Sequence, residues 1–316
     1  MSFATEVKKE LINIKNLKPC CKKALLFGIL VNSSEIILSS EGKRIVLKTT
    51  IPGLFVLVKP LLKELYNIET SLSYQEEASL KKRKFYRLEI TNKVQTLIDE
   101  FKLLPISDIK FNDPLIKQSC CKQAWLRGTF IAKGSINDPR KERYHFEISS
   151  TKLSVINIVL QILNKAGITA KTCERSNRYV CYVKRCEQIS NTLAYLGADS
   201  GVFYFEDQRI VRDVANMANR MTNCDIANEI KCAKKCDEQL SAIKYLRENN
   251  IFEHLPIRLQ TTALLREEYP DSSYEELSMY SENLFGKQLS KSGISHCFNA
   301  LMKYYNDIVD SKDTIK

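Results

Sequence analysis

The chain has 316 residues, 27% of them charged, with eleven cysteines and a formal net charge of +11. That length allows two to three domains with cores of their own, and an odd, scattered set of cysteines excludes a small disulfide scaffold. No signal peptide is read, and the longest apolar run, Ala24 to Val31, is too short to cross a bilayer, so a protein of a reducing cytosol with no membrane partner is expected.

The elements begin with a repeat. Cys20-Cys21-Lys22-Lys23-Ala24-Leu25-Leu26-Phe27-Gly28 and Cys120-Cys121-Lys122-Gln123-Ala124-Trp125-Leu126-Arg127-Gly128 read as one helix written twice. Between 20–36 and 120–136 seven residues agree, where roughly one is expected from average composition. A tandem duplication is the simplest account. In the first copy the helix (about Cys20 to Asn32) leads to strands at Glu35–Leu38 and Arg44–Thr50 and a helix from Leu54 to Tyr66. Strands at Ser71–Tyr74 and Phe85–Ile90 follow, then a helix from Lys93 to Leu103. In the second copy the helix leads to a strand at Tyr144–Thr151 and a helix from Leu153 to Ala166. Strands at Ile168–Cys173 and Tyr179–Lys184 precede a closing helix, Glu187–Leu196. The first half reads αββαββα, and the duplication leads one to expect the same of the second, where only one strand is read between the first two helices.

Alternation of period two sets the strand faces: Tyr144, Phe146 and Ile148 point inward while Arg143, His145, Glu147 and Ser149 point outward. In the same way Tyr86, Leu88 and Ile90 face in, and Arg87 and Glu89 face out. The two sheets are expected to form a single antiparallel surface with one solvated face. Lys43, Arg44, Lys48, Lys81, Lys82, Lys84, Arg140, Lys141, Arg143, Arg175, Arg178 and Lys184 lie on or beside it. Arg44, Lys48, Arg87, Arg143, His145 and Arg178 are the residues chosen for DNA contact. Ala24 with Gly28, and Ala124 with Gly128, each lie one turn apart on a helix face. These smooth strips predict a close pseudo-twofold contact between the repeated helices.

From Phe205 to Asn249 the period is helical, with Ile210, Val214, Met217 and Met221 on one side. Arg209, Arg212, Asn216, Asn219, Arg220, Asn223 and Asn228 occupy the polar side, suited either to phosphate or to a neighbouring domain. The last sixty residues read as three helices. Pro256 opens the first, Leu259, Ala263 and Leu264 line its face, and Pro270 stops it. Ser273 and Glu276 form a capping box for the second, which carries Leu277 and Tyr280. The third begins at Ser290, with Ile294, Phe298 and Leu301 buried. Ser290, Lys291, Ser292, Ser295, His296 and Asn299 are left near its N-terminal end, where a recognition helix meets base edges and phosphates.

The first 255 residues hold 41 basic and 28 acidic side chains, whereas Pro256 to Lys316 hold 7 and 9. A basic body points to a polyanion, because each neutralised phosphate releases a condensed counterion. Solubility alone is the bland reading of the same charge.

The two halves resemble the paired repeats of LAGLIDADG homing endonucleases, and with its C-terminal helix-turn-helix the whole chain resembles the bacterial WhiA sporulation-regulator family. The resemblance rests on residues 127–139, on 205–216, on Asn219-Arg220 with Asn223-Cys224, and on Ser290-Lys291-Ser292-Gly293. It implies an α+β fold. A pseudo-twofold αββαββα domain with antiparallel sheets spans 1–200 (repeat one about 1–104, repeat two about 105–200), a helical linker 201–250, and an all-α helix-turn-helix domain 251–316. It implies a DNA-binding transcriptional regulator tied to sporulation or to cell division and chromosome segregation. Endonucleases of this fold place an acidic, metal-holding residue at the foot of each repeated helix. Laid on Leu26–Ser34 and Leu126–Gly134, that motif puts Ser33 and Lys133 at the acidic positions. Glu35 lies two residues further on, but Ser135 is its counterpart, so no acidic pair is restored and no nuclease activity is expected. Ser295, Cys297 and Asn299 stand where the family pattern leads one to expect Asn, Arg and Arg, which weakens phosphate contact there.

No catalytic residue, metal ligand or cofactor is assigned. Cys224, Cys232, Cys236 and His254 offer only one pair at zinc spacing. Cys20-Cys21 and Cys120-Cys121 are not expected to turn both sulfurs into one site from a helix, one of each pair being core. His145, His254 and His296 lack a catalytic constellation, and no phosphate-cradling glycine loop is present. Double-stranded DNA is the expected partner, with another transcription factor or RNA polymerase as a second, in the cytoplasm at the nucleoid. The competing readings are a nucleoid- or division-associated protein that binds DNA without sequence preference and, last, an active endonuclease.

Overall fold

A computed structural model describes residues 2–40, 42–76, 84–104, 107–141 and 143–313, in two units, Met1–Asp213 and Val214–Lys316. The first unit opens with a helix absent from the sequence reading, α1 (Phe3–Ile12), whose Ser2 cap accepts from the Thr5 N–H and whose Phe3, Val7 and Leu11 are buried.

The duplication then follows as expected. Repeat one runs α2 (Pro19–Ser33), β1 (Ser34–Ser39), β2 (Gly42–Thr49), α3 (Gly53–Tyr66), β3 (Ser71–Glu76), β4 (Lys84–Ile90) and α4 (Val94–Glu100). Repeat two runs α5 (Ser119–Lys133), β5 (Gly134–Ile136), β6 (Phe146–Ser150), α6 (Leu153–Lys165), β7 (Lys171–Arg175), β8 (Arg178–Val183) and α7 (Cys186–Leu196). The sheets have the same antiparallel order, β1-β2-β4-β3 and β5-β6-β8-β7. The two sheets are the expected ones, one per repeat, and among the described residues no strand pairing joins them. The alternation holds, with Phe146, Ile148, Leu88 and Ile90 fully buried and Glu147 and Ser149 on the other face.

The repeated helices meet at their glycines. A Cβ on Gly28 would lie 2.2 Å from the Trp125 carbonyl oxygen, and one on Gly128 would lie 2.2 Å from that of Leu25. Only hydrogen fits there, so α2 and α5 run side by side with their backbones touching.

Their N-terminal ends overturn one expectation. The sulfurs of Cys20, Cys21, Cys120 and Cys121 all lie within 4.8 Å of one another, although Cys21 and Cys121 are also buried as core. Adjacent residues differ by ~100° around a helix axis, but Cα–Cβ bonds tilt toward the N-terminus. In a first turn no preceding turn lies beneath them, so the side chains can reach past the helix end, and here the four sulfurs meet there.

Helix α8 (Asp199–Glu248) begins in the first unit. There the Ser200 and Gly201 N–H groups donate to the Glu10 carboxylate at 2.7 and 3.0 Å, and the Phe205 ring packs tilted against Tyr144 with centroids 5.4 Å apart. The sequence reading lined one side of this helix with Ile210, Val214, Met217 and Met221. All four are more than half exposed.

The second unit packs Ala242, Ile243, Leu246 and Phe252 with Leu259, Ala263, Leu265, Leu277, Ile294, Phe298 and Leu301. These come from the end of α8, from the short 3-10 turn Phe252–His254 after it, and from α9 (Ile257–Glu268), α10 (Tyr274–Phe285) and α11 (Lys291–Asp313). The Ser273–Glu276 capping box is formed in both directions. Leu264, expected on the packed face, is 45% exposed and Leu265 is buried in its place. Arg266 fixes the α9–α10 turn, its buried guanidinium donating to Gln239 and to the carbonyls of Tyr269, Pro270 and Ser272. No described helix is long and apolar enough to cross a membrane.

Candidate nucleic-acid interface

Ser33 ends α2 and Lys133 ends α5, so each stands at the foot of its helix immediately before the first strand of its sheet. The surroundings are cationic. Desolvation, then the Arg178 charge, holds the Lys133 ammonium below the usual lysine range, with Glu35 pulling the other way. Buried Lys8, on α1, is lowered to about 8, first by desolvation and then by Lys133. Glu35, the nearest acid in sequence, is taken up by Lys48 at 2.7 Å. Three cationic side chains, Lys8, Lys133 and Arg178, thus influence one another at this end. Lys8 was missed from sequence because α1 was missed; its signal was Ser2 followed by Phe3, Val7 and Leu11 at intervals of four.

On the outer face of the first sheet Arg44 and Arg87 both reach Glu89, at 3.7 and 2.8 Å. On the second sheet His145 hydrogen-bonds Glu147 at 2.8 Å, and Arg175 approaches the same carboxylate at 3.7 Å. Arg140 is held by Asp138 at 2.6 Å, which keeps that carboxyl at about 2. Of the six platform residues, Arg143 and Arg178 make no salt bridge among the described residues. The others carry a carboxylate partner, so the platform is more internally compensated than its basic count suggests. Lys81 and Lys82 lie outside the described residues. Tyr182, which sequence reasoning passed over, stacks on His145 at 5.9 Å and carries the Lys184 ammonium 5.2 Å above its ring. It gives the second sheet a cation-bearing aromatic strip. On α8, Arg209 binds Glu206 at 2.7 Å and Arg212 donates to the Lys141 carbonyl at 2.7 Å while covering the Tyr144 ring. Those two arginines serve the domain's own packing.

In the second unit Ile294, Phe298 and Leu301 are buried as expected, leaving Ser290, Lys291, Ser292, His296 and Asn299 exposed and Ser295 half-buried. The Gly293 N–H donates to Ser290 Oγ at 3.1 Å, which caps the start of α11. Lys291 meets Glu275 at 2.7 Å with both side chains mostly exposed, a pair weak enough for a phosphate to displace.

Three family models cover most of the chain: the WhiA N-terminal LAGLIDADG-like domain at residues 19–104, the WhiA LAGLIDADG-like domain at 122–215, and the WhiA C-terminal HTH domain at 218–305. The "Probable cell division protein WhiA" of Bacillus cereus (strain B4264) is 34% identical over 300 residues, which are 94% of this chain and 93% of that protein. The chain belongs to the WhiA family. The protein of the same name from Bacillus pumilus (strain SAFR-032) is 33% identical over 299 residues, again 94% and 93% of the two chains. Full-length DUF199/WhiA from Thermatoga maritima superimposes with a TM-score of 0.59 at 23% identity, covering 97% of this chain and 99% of that one. The WhiA fold, a duplicated LAGLIDADG-like domain with a C-terminal helix-turn-helix, is thus the fold seen here, and it makes DNA the expected ligand.

Proposed function

We propose that this WhiA-family chain is a DNA-binding transcriptional regulator without nuclease activity, acting at the nucleoid. The process it serves is cell division, by extension from the names of its relatives. The observation that supports this reading is the foot of the paired helices: Ser33 and Lys133 end them, where the LAGLIDADG resemblance leads one to expect metal-holding acids, and Lys8 and Arg178 add positive charge around Lys133. A phosphate is stabilised in such a field, and Mg²⁺ is repelled by it. The sheets position the duplex through its backbone, and α11 reads it through Ser292, Ser295, His296 and Asn299.

The test is binding to a promoter fragment and to scrambled DNA at two salt concentrations, with a parallel cleavage assay in Mg²⁺ and Mn²⁺. A clear preference for the promoter and no cleavage are expected. Metal-dependent cleavage by the purified chain overturns the reading. One observation favours the non-specific alternative: Lys291 is engaged by Glu275 in a segment with more acidic than basic residues. A specificity ratio near one with a steep salt slope decides for that alternative.

A further inference from the structure

Cys20, Cys21, Cys120 and Cys121 lie at the opposite end of α2 and α5 from Ser33 and Lys133, a helix length of about 22 Å away, and the DNA-binding reading uses none of them. Their four sulfurs come from two symmetry-related first turns, and every pair is within 4.8 Å. Within one pair, Cys20 and Cys21, the separation is 3.9 Å. Tetrahedral zinc with Zn–S bonds of about 2.3 Å puts its ligand sulfurs about 3.8 Å apart. The cluster is already near that size, and small rotations about the Cα–Cβ bonds close the rest.

Burial raises the Cys21 and Cys121 thiols above the usual range, and the helix ends and Gln118 work against that. Neither helix has a side-chain N-cap, so first-turn N–H groups of both are available to sulfur, and both helix dipoles present their positive ends. The Gln118 side chain lies over the group, its Oε1 3.5 Å from the Cys120 sulfur, 3.8 Å from Cys20 and 4.0 Å from Cys121. A half-turn of that amide offers its NH₂ to thiolate instead.

We infer that Cys20, Cys21, Cys120 and Cys121 form a structural zinc site that clamps the N-terminal ends of the paired helices. Binding is ligand exchange without redox change: four thiols release their protons to solvent, four Zn–S bonds form, and zinc sheds its waters. All four positions are filled by protein, so the site is closed and no water is activated there. Two doublets on one duplicated helix build it, each copy supplying half.

The full-length protein, expressed with zinc and desalted, is expected to hold about one zinc per chain by elemental analysis. Co²⁺ exchanged into it is expected to show the absorption of a tetrahedral thiolate complex. Cys20→Ser with Cys120→Ser, which leaves the buried Cys21 and Cys121 in place, is expected to reduce zinc at least tenfold with the helical circular dichroism retained. Cys173→Ser with Cys224→Ser is expected to leave zinc unchanged. Four freely titrating thiols with no metal, a disulfide within the cluster, iron in place of zinc, or full zinc retention in the first double variant each overturn the inference. Promoter binding is measured on the same preparations. A failure there with zinc present counts against the DNA-binding reading and not against this one.

Discussion

At Gly28 and Gly128 the difference between a hydrogen and a methyl group decides whether two helices can meet. A methyl placed 2.2 Å from a backbone carbonyl has no flexible side chain to displace. Gly28→Ala or Gly128→Ala is expected to lower the unfolding free energy by about 1–3 kcal/mol, read as a shift of the urea midpoint; an unchanged midpoint is incompatible with backbones this close. Lys8 is legible only through pH. Its unfolded value of 10.5 falls to about 8 on folding, so between those values the unfolded chain binds more protons and stability rises with pH. Below about pH 8 the buried charge costs the folded state up to about 3 kcal/mol. Lys8→Met is therefore expected to stabilise the protein at pH 7, with the difference from wild type shrinking toward pH 10.5. A difference independent of pH sinks this account. The sequence showed Ser33 and Lys133 directly, because they sit at fixed positions in a repeat. It hid Lys8, whose role depends on burial beside another lysine far along the chain.

Among the elements, those with strong alternation or a long apolar period were legible: Leu88 and Ile90 on β4, and Phe146 and Ile148 on β6, are buried as their alternation implied. The misses have local causes. Strand β5 has three residues, too few to show a period. The cysteine doublets are hidden by mid-helix geometry, which does not hold in a first turn, where side chains can reach past the helix end. The apolar row on α8 has the right spacing and stays exposed, because spacing states which residues share a face and not whether anything covers it. Helices α9 and α10 depend on a group no pattern reveals. Arg266 is 1% exposed, and its bonds to three turn carbonyls and Gln239 replace its hydration. Arg266→Ala leaves those acceptors unpaired and is expected to cost about 2–4 kcal/mol. The destabilisation is expected in the second unit alone, so hydrogen exchange of α9 to α11 accelerates while that of α2 and α5 is unchanged. Equal acceleration in both units contradicts the assignment.

On the scale of the whole molecule the charge is divided between two tasks. The first 255 residues are strongly basic and the last 61 slightly acidic, so counterion release is expected to come from the sheets and sequence discrimination from α11. Arg143 and Arg178 make no salt bridge among the described residues, so on the proposed function they are the pair expected to meet phosphate first. Arg44 and Arg87 share Glu89, and Lys48 is held by Glu35, so each must first leave a carboxylate. Arg143→Ala with Arg178→Ala is accordingly expected to weaken promoter and scrambled DNA alike, and to flatten the log–log salt slope by about one for each phosphate no longer neutralised. Arg44→Ala with Lys48→Ala is expected to flatten it less. His296→Ala with Asn299→Ala is expected to leave the slope nearly unchanged and to bring the affinities for promoter and scrambled DNA toward each other, by about 1–3 kcal/mol for each base no longer read. Anisotropy titrations of wild type and the three double variants at several salt concentrations separate these effects. If the α11 pair changes the slope and the sheet pair changes the specificity ratio, the two tasks are assigned to the wrong halves of the chain.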